Sequence, residues 1–560
     1  MDWSQPVSSR FSVIAIEIAE LGNRSYIVHD GHSAIVIDPS RRIRQVIEVA
    51  QANKLAIEAV FETHVHNDYV TGGYALAQKL GIPYYISKHE HTHFTHEGIV
   101  PEQTIKFGAF SVTALAAPGH TPHHLGYLVE APDQPAALFS GGSLLYGAVG
   151  RTDLVSPEMT AKLAGNQYQT AQFFAARLDP STLLYPTHGF GSFCAATETQ
   201  DVQTSTIGRQ LATNSAYTSK DESSFVEELL DGLESYPSYY AYMAPANLRG
   251  PLEPDLIAPA LLTKETLMSA LHSGAGIVDM RSRKAYAARH MSGTYNIELN
   301  DDLATYVGWL IKWDEPLILV AETADEVGRA QEKLSLIGRE VSGGQMRPDD
   351  LLKAASKTSS YPVHDFADLA KVIDQPNISV IDVRRNSEWK KGHIESALHI
   401  PLHELISRAD EIPKEAEVWV HCAAGFRASI AASILAGIRS NVVLINDNFA
   451  NAQKAELEIV GDNMNIVSDV KSGNVQLLDV RDDSEWKERH AKDAIHIQLN
   501  DLMEGKTEPL DKQKPIYAYC LSGNRSAMAE MYLNDHGFDA LNIGGLEDWL
   551  EAGGRLELDI

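Results

Sequence analysis

The stretch THVHNDY, residues 63–69, follows one residue after the mostly apolar run IEAVF at 57–61, and that junction decides the reading of the N-terminal part. A short apolar run closed by polar residues predicts a buried strand, so His64, His66 and Asp68 project from the loop at its C-terminal end. His120, within APGHTPHH at 117–124, and His188, within YPTHG at 185–189, also come just after short apolar runs. Imidazoles delivered by several strand ends can converge on one cation, which a single surface loop does not easily arrange. The chain has 22 histidines, and the tract KHEHTHFTHE at 88–97 is of another kind. Its His89, His91, His93 and His96 are read as a solvated segment that picks up metal only adventitiously.

Outward from this junction, SYIVHD (25–30) and SAIVIDP (33–39) read as paired antiparallel strands, and residues 43–52 as a helix. IPYYIS, FSVTALAAPGH, LGYLVEA, AALFSGG and TLLYPTHG follow as short strands closed by turn residues. Such alternation predicts a two-sheet α/β sandwich over residues 1–213. Residues 214–255 are rich in Ser, Pro and Tyr, with one amphipathic helix near 223–233, and read as a linker.

Beyond it the sequence repeats itself. IVDMR (277–281), VIDVR (380–384) and LLDVR (477–481) are followed by SRKAYAARHMSGTYNIEL, RNSEWKKGHIESALHIPL and DDSEWKERHAKDAIHIQL. A second strand comes about 40 residues later in each case: LILVA, VWVHC and IYAYC. Apolar strands alternating with helices predict three α/β domains with parallel sheets, at 256–350, 351–460 and 461–560.

Composition narrows the function. Lys plus Arg is 47 against 75 Asp plus Glu, a formal charge of −28, so nucleic acid and anionic membrane surfaces are poor partners. No uncharged run reaches the roughly 18 apolar residues of a membrane span. Glu17 and Glu20 stand where a signal peptide needs its apolar core. Three cysteines exclude a disulfide framework and fit a reducing, cytoplasmic setting. Self-association is left open.

Two of these cysteines sit in loops built for chemistry. Cys520 follows a strand and precedes a helix, with Gly523 to let the loop close and Arg525 nearby. Loop N–H groups, a helix N-terminus and a guanidinium all favour a thiolate and the anion it attacks. Cys422, Gly425 and Arg427 repeat the spacing, while the first copy has Ala321 at the matching place and neither the glycine nor the arginine.

The motifs THVHNDYVTGG, APGHTPHHLGY, GRTDL and PTHG resemble the metallo-β-lactamase fold, an αββα sandwich, over about residues 10–210. Glyoxalase II-like thioesterases and persulfide dioxygenases are the nearest subfamilies. Two positions depart from that pattern: Tyr69 replaces a histidine and Gly142 replaces an aspartate that bridges two ions. The resemblance therefore implies one metal, held by His64, His66 and His120, with Asp68 and His188 as further ligands or neighbours. Non-haem iron is the expected ion and zinc the alternative. On this reading Gly142→Asp restores the missing carboxylate and raises iron affinity.

DVR, the EWxxGH stretch and CxxGxR together resemble rhodanese (sulfurtransferase) domains. The whole order resembles bacterial persulfide dioxygenase–sulfurtransferase fusions. That resemblance implies oxidation of low-molecular-weight thiol persulfides at the metal and transfer of sulfane sulfur through Cys520 and Cys422, with thiosulfate and sulfite as further reactants. Cys194 is either a persulfide carrier beside the metal or a structural thiol. The alternatives are a sulfurtransferase on an inert scaffold and a one-metal thioesterase-like hydrolase.

Overall fold

Short, largely buried runs build two packed sheets in the computed structural model, which describes residues 10–196, 199, 204–461, 464–521 and 523–557. The first sheet takes β1 (Ser12–Ile18), β2 (Asn23–His29), β3 (Ser33–Ile37), β4 (Ala56–Phe61), β5 (Tyr84–Ser87) and β6 (Glu97–Ile99) in sequence order. The second takes β7 (Thr104–Phe107), β8 (Phe110–Ala116), β9 (Leu125–Glu130), β10 (Ala137–Gly141), β11 (Leu183–Pro186) and β12 (Ser205–Thr206), again in order. Their facing sides share one apolar cluster, including Tyr26, Ile35, Phe61, Val112, Tyr127 and Phe139.

Helices close the outer faces. α1 (Ile43–Ala52) and α2 (Gly73–Leu80) bury Val46 and Leu76 against Val36 and Val60 of the first sheet. α3 (Pro157–Arg177) buries Phe174 against Leu138 and Leu184 of the second. The layering is αββα. β4, β8 and β11 end on chain segments that lead into the histidine loops, 63–68, 117–124 and 187–188.

The segment 214–255, expected as a linker with one helix, is a packed part of this body. It carries the helices Ser215–Thr218, Glu222–Asp231 and Tyr240–Leu248. Phe225 and Leu229 join the cluster around Phe174. The Asn247 side chain accepts from Thr71 N (2.9 Å) and donates to the carbonyls of His66 and Tyr69 (2.9 Å each), so it fastens the 63–71 loop. A composition rich in Ser and Tyr looked like linker because tyrosine counts as polar in pattern, yet Tyr239 and Tyr240 are buried.

The chain divides into two compact units, Met1–Arg281 with Ile297–Ala354, and Ser282–Asn296 with Ala355–Ile560. The first unit thus adds a parallel sheet of Gly276–Asp279, Leu317–Val320 and Gly344–Met346 to the sandwich. There Leu336 O accepts from Val70 N (2.8 Å), and Lys333 pairs with Glu20 at 2.9 Å. The second unit holds two further parallel sheets. One runs Val363–His364, Val442–Ile445, Glu417–His421, Ile378–Asp382, Leu398–His399, and the other Ile495–His496, Gln476–Asp479, Ile516–Cys520, Ala540–Gly545. Among the described residues no helix is long and apolar enough to cross a membrane.

Candidate metal centre and cysteine loops

Three imidazoles meet with their Nε2 atoms inward, because something holds each Nδ1. His64 Nδ1 is bonded to Thr63 Oγ1 at 2.8 Å, His120 Nδ1 to the Arg151 carbonyl at 2.8 Å, and His188 Nδ1 to Asn23 Oδ1 at 3.0 Å. Thr63 Oγ1 donates to Asp38 Oδ2 (2.7 Å), so it accepts from His64, and the tautomer follows: Nδ1 keeps the proton and Nε2 the lone pair. His64 Nε2 and His188 Nε2 then lie 3.3 Å apart, and the buried His120 Nε2 has no hydrogen-bond partner among the described residues. Ligand atoms of His64, His120 and His188 all fall within 4.8 Å of one another. Neutral lone pairs crowded in a dry pocket repel, and a cation removes that cost. These donors fit a metal ion.

His66 takes a different place from the one expected. Its Nε2 is bonded to Glu62 at 2.9 Å and lies 3.3 Å from Asp38, while its buried Nδ1 has no hydrogen-bond partner among the described residues. His66 falls in one metal-type group with Asp68 and His188 and in another with Asp38 and Glu62, and His188, expected as a neighbour, belongs to two of the three groups found among the described residues. Asp68 accepts from Asn23 at 2.7 Å and sits 3.2 Å from His188 Nδ1, its Oδ1 having no hydrogen-bond partner among the described residues. Asn23, Asp38, Glu62 and His124 were not singled out from the sequence. His124 Nε2 accepts from Gly142 N (3.0 Å), and its ring stacks 4.6 Å from that of His64.

Electrostatics separate the rings. Burial, with the imidazoles around it, holds His64 far below the ordinary range, and burial with His188 brings His120 down to about 3. Burial also works against charge on His66, yet Asp38 and Glu62 outweigh it and push His66 up to about 10. Burial lifts Glu62 to about 7 in spite of His66. The pocket therefore keeps neutral donors on one side and a carboxylate-held imidazole on the other.

The cysteine loops are built alike. Gly425 N donates to Cys422 Sγ at 3.2 Å and Gly523 N to Cys520 Sγ at 3.1 Å. Both glycines have φ near the left-handed region, +87° and +89°, and cap the helices Phe426–Ile438 and Asn524–Asp535, so each sulfur lies at a helix N-terminus. Arg427 pairs through two bonds with Glu388 (2.5 and 2.7 Å), and Arg525 with Glu485 (2.6 and 2.8 Å). The tryptophans of the EW stretches stack between two histidines, Trp389 between His393 and His399, Trp486 between His490 and His496. Of the two loop cysteines, Cys520 alone has a hydroxyl on its sulfur among the described residues, Ser526 Oγ at 3.5 Å; the second copy has Ala428 there. In the first copy the helix Ala324–Leu336 starts right after Thr323, which caps it, so the loop after Ala321 is a residue shorter.

Family models match at both ends: the metallo-beta-lactamase superfamily over residues 19–188, and the rhodanese-like domain over 365–455 and 466–552. The chain joins a metallo-β-lactamase fold to C-terminal rhodanese-like domains. A metallo-beta-lactamase from Staphylococcus aureus is 26% identical with a TM-score of 0.54, over 60% of this chain and 99% of its own. ETHE1 from Myxococcus xanthus is 22% identical, TM-score 0.37, over 42% of this chain and 98% of its own. A hydroxyacylglutathione hydrolase of Francisella tularensis is 29% identical over 176 residues, 30% of this chain and 64% of that protein. The chain thus spans just under two thirds of the curated relatives it matches.

Within the metallo-β-lactamase fold the two departures have a physical reading. Tyr69 is buried with its hydroxyl on the Asp38 carbonyl (3.2 Å), so it offers no ligand. A Cβ at Gly142 would lie 2.3 Å from His120 Cδ2 and 2.7 Å from its Nε2. The aspartate's space is taken by an imidazole, which argues against the expected gain from Gly142→Asp. Cys194 is fully buried; burial and then Asp68 push its thiol well up, and its Sγ rests 3.9 Å from Tyr240 Oη. These surroundings favour the structural of the two readings of Cys194. His89, His91 and His93 are exposed, and the 88–97 tract enters no metal-type group among the described residues.

Proposed function

We propose that this chain is an enzyme of sulfur metabolism in the cytoplasm, oxidising low-molecular-weight thiol persulfides in its metallo-β-lactamase domain and moving sulfane sulfur through Cys520 and Cys422. What carries the reading is one chain that combines three convergent imidazoles with two cysteine loops whose sulfurs accept N–H bonds. We take the first copy, 256–350, as a third rhodanese-like domain without the cysteine.

His64, His120 and His188 would hold the metal; iron there would pass electrons from the persulfide to dioxygen, RSSH + O₂ + H₂O giving RSH and sulfurous acid, whereas zinc, the alternative ion, has no redox chemistry and would suit hydrolysis alone. Thr63, Arg151 and Asn23 keep the three rings in one tautomer, and Asp38 holds Thr63 in turn. At the rhodanese loops, a Cys520 thiolate attacks the outer sulfur of thiosulfate, forming Cys–S–S⁻ and releasing sulfite. Gly523 N and Ser526 Oγ steady the sulfur, and Glu485 keeps Arg525 in place. Sulfite and a persulfide give thiosulfate by the same exchange in reverse sense.

Likeness to hydroxyacylglutathione hydrolases favours a second reading, hydrolysis of a glutathione thioester. The test is oxygen uptake with glutathione persulfide beside hydrolysis of a glutathione thioester, on protein of measured metal content. Iron with oxygen uptake supports the first reading. Thioester hydrolysis without oxygen uptake replaces it, and neither activity leaves a sulfurtransferase alone.

A further inference from the structure

The segment Ser282–Asn296 belongs by sequence to the cysteine-less first copy, yet it is part of the compact unit made with Ala355–Ile560. Three ties hold it there. His290–Met291 pairs antiparallel with Thr358–Ser359. Ala287 O accepts from Tyr361 N at 3.0 Å, and Asn296 N donates to Ser433 Oγ at 3.0 Å. Ser433 lies on the helix Phe426–Ile438, whose N-terminus closes the Cys422 loop.

The anchored segment brings Arg283 to that loop. Arg283 Nη1 donates to the carbonyl of Ala424, two residues past Cys422, at 3.0 Å, and to Asn446 Oδ1 at 3.2 Å. A Cβ on Gly425 would fall 2.7 Å from Arg283 Nη1 and 2.5 Å from Asn446 Oδ1, so glycine is what lets the guanidinium in. The Cys520 loop is different. Among the described residues only Gly544 lies within 4 Å of a Cβ built on Gly523, and Gly544 stands where the second copy has Asn446. The next repeat's counterpart of Arg283 is Asn386. Arg427, the loop's own arginine, pairs with Glu388, and Arg283 reaches the same loop from the preceding copy.

We propose that Arg283 is a positioning residue for Cys422: it clamps the loop through Ala424 and Asn446 and makes the second copy selective for anionic sulfur donors of the thiosulfate class. The first copy is thereby kept for a residue it supplies to its neighbour. In the step concerned, the Cys422 thiolate forms an S–S bond to the outer sulfur of thiosulfate. The bond within thiosulfate breaks, and sulfite leaves with the electron pair. The proposal rests on Cys422 being a sulfur acceptor, as read above.

The experiment follows alkylation of Cys422 and Cys520 separately, by peptide mass spectrometry, in the full chain. Iodoacetate and iodoacetamide serve as anionic and neutral probes across pH 5 to 10. In Arg283→Gln, Cys422 should react several-fold more slowly at neutral pH, with its midpoint raised and iodoacetate affected more than iodoacetamide. Cys520 should be unmoved in the same molecules. Arg283→Lys should restore the preference for iodoacetate, which a purely structural tie would not. An unchanged Cys422 profile in Arg283→Gln, or equal changes at both cysteines, overturns the proposal alone. A Cys422 unreactive in the wild type overturns it together with the sulfur-acceptor reading.

Discussion

The metal pocket and the cysteine loops solve the same problem, holding a reactive group in a dry site, by opposite means. Each loop is six consecutive residues, Cys422 to Arg427 or Cys520 to Arg525, and its sulfur is held by a backbone N–H three residues away. The pocket gathers His64, His120 and His188 from three separate stretches, and Asn23, Thr63 and Arg151 orient them. Local sites depend on their own chain conformation. Assembled sites depend on the sheets that bring the strand ends together. Cys194 marks the boundary: it is as buried as the other two cysteines, but without the loop and helix end it is a packed thiol.

The sharpest break would come from the metal ligands. His64→Ala, His120→Ala or His188→Ala should each empty the pocket of tightly bound metal, with cyanide sulfurtransfer unchanged. His66→Ala should cost less, since its Nε2 is occupied by Glu62. Metal analysis decides, and two tight ions per chain, or full occupancy in His188→Ala, would sink the three-imidazole site. Next is the division of labour between the loops. Cys520 has Ser526 on its sulfur, so Cys520→Ser should remove most thiosulfate:cyanide transfer and Cys422→Ser less. Steady-state rates check this ranking, which equal losses would refute.

A smaller effect tests the packing around the pocket. Gly142→Asp should lower metal affinity and destabilise the fold by about 1–3 kcal/mol, the usual range for overpacking, because the new side chain meets His120. Calorimetry and metal titration measure both, and a gain in affinity would show that the His120 ring gives way.

The smallest effect concerns the first unit. Burial works against charge on Glu20, but Arg42 and Lys333 hold its carboxyl down to about 2 from 4.5. A lowered carboxyl contributes stability that is complete above pH 4.5 and is lost as the pH falls toward 2. Glu20→Gln should therefore melt lower than wild type at pH 7, with the gap closing between pH 4.5 and 2. Thermal melts across that window give the answer, and a gap that stays constant with pH would exclude the ionic tie.

Sequence alone was enough for the αββα sandwich, the parallel repeats and both cysteine loops, since hydrophobic period, glycine position and a fixed Cys-to-Arg spacing are local quantities. It also placed His64, His120 and His188 at strand ends. It did not rank His188 above His66, because that choice turns on which ring nitrogen is already bonded, and the partners Asn23 and Asp38 come from other strands, while Glu62, four residues before His66, is brought onto its ring only by the turn of the loop. Nor did it exclude a carboxylate at residue 142, since the obstacle there is the imidazole of His120, 22 residues earlier. The reach of Arg283 into the Cys422 loop was equally out of sight: it spans 141 residues of chain, and nothing in a repeat pattern says that one copy's segment packs on the next. Tertiary structure decided these points because van der Waals exclusion and hydrogen-bond saturation act between atoms brought together by folding, whatever their separation in sequence.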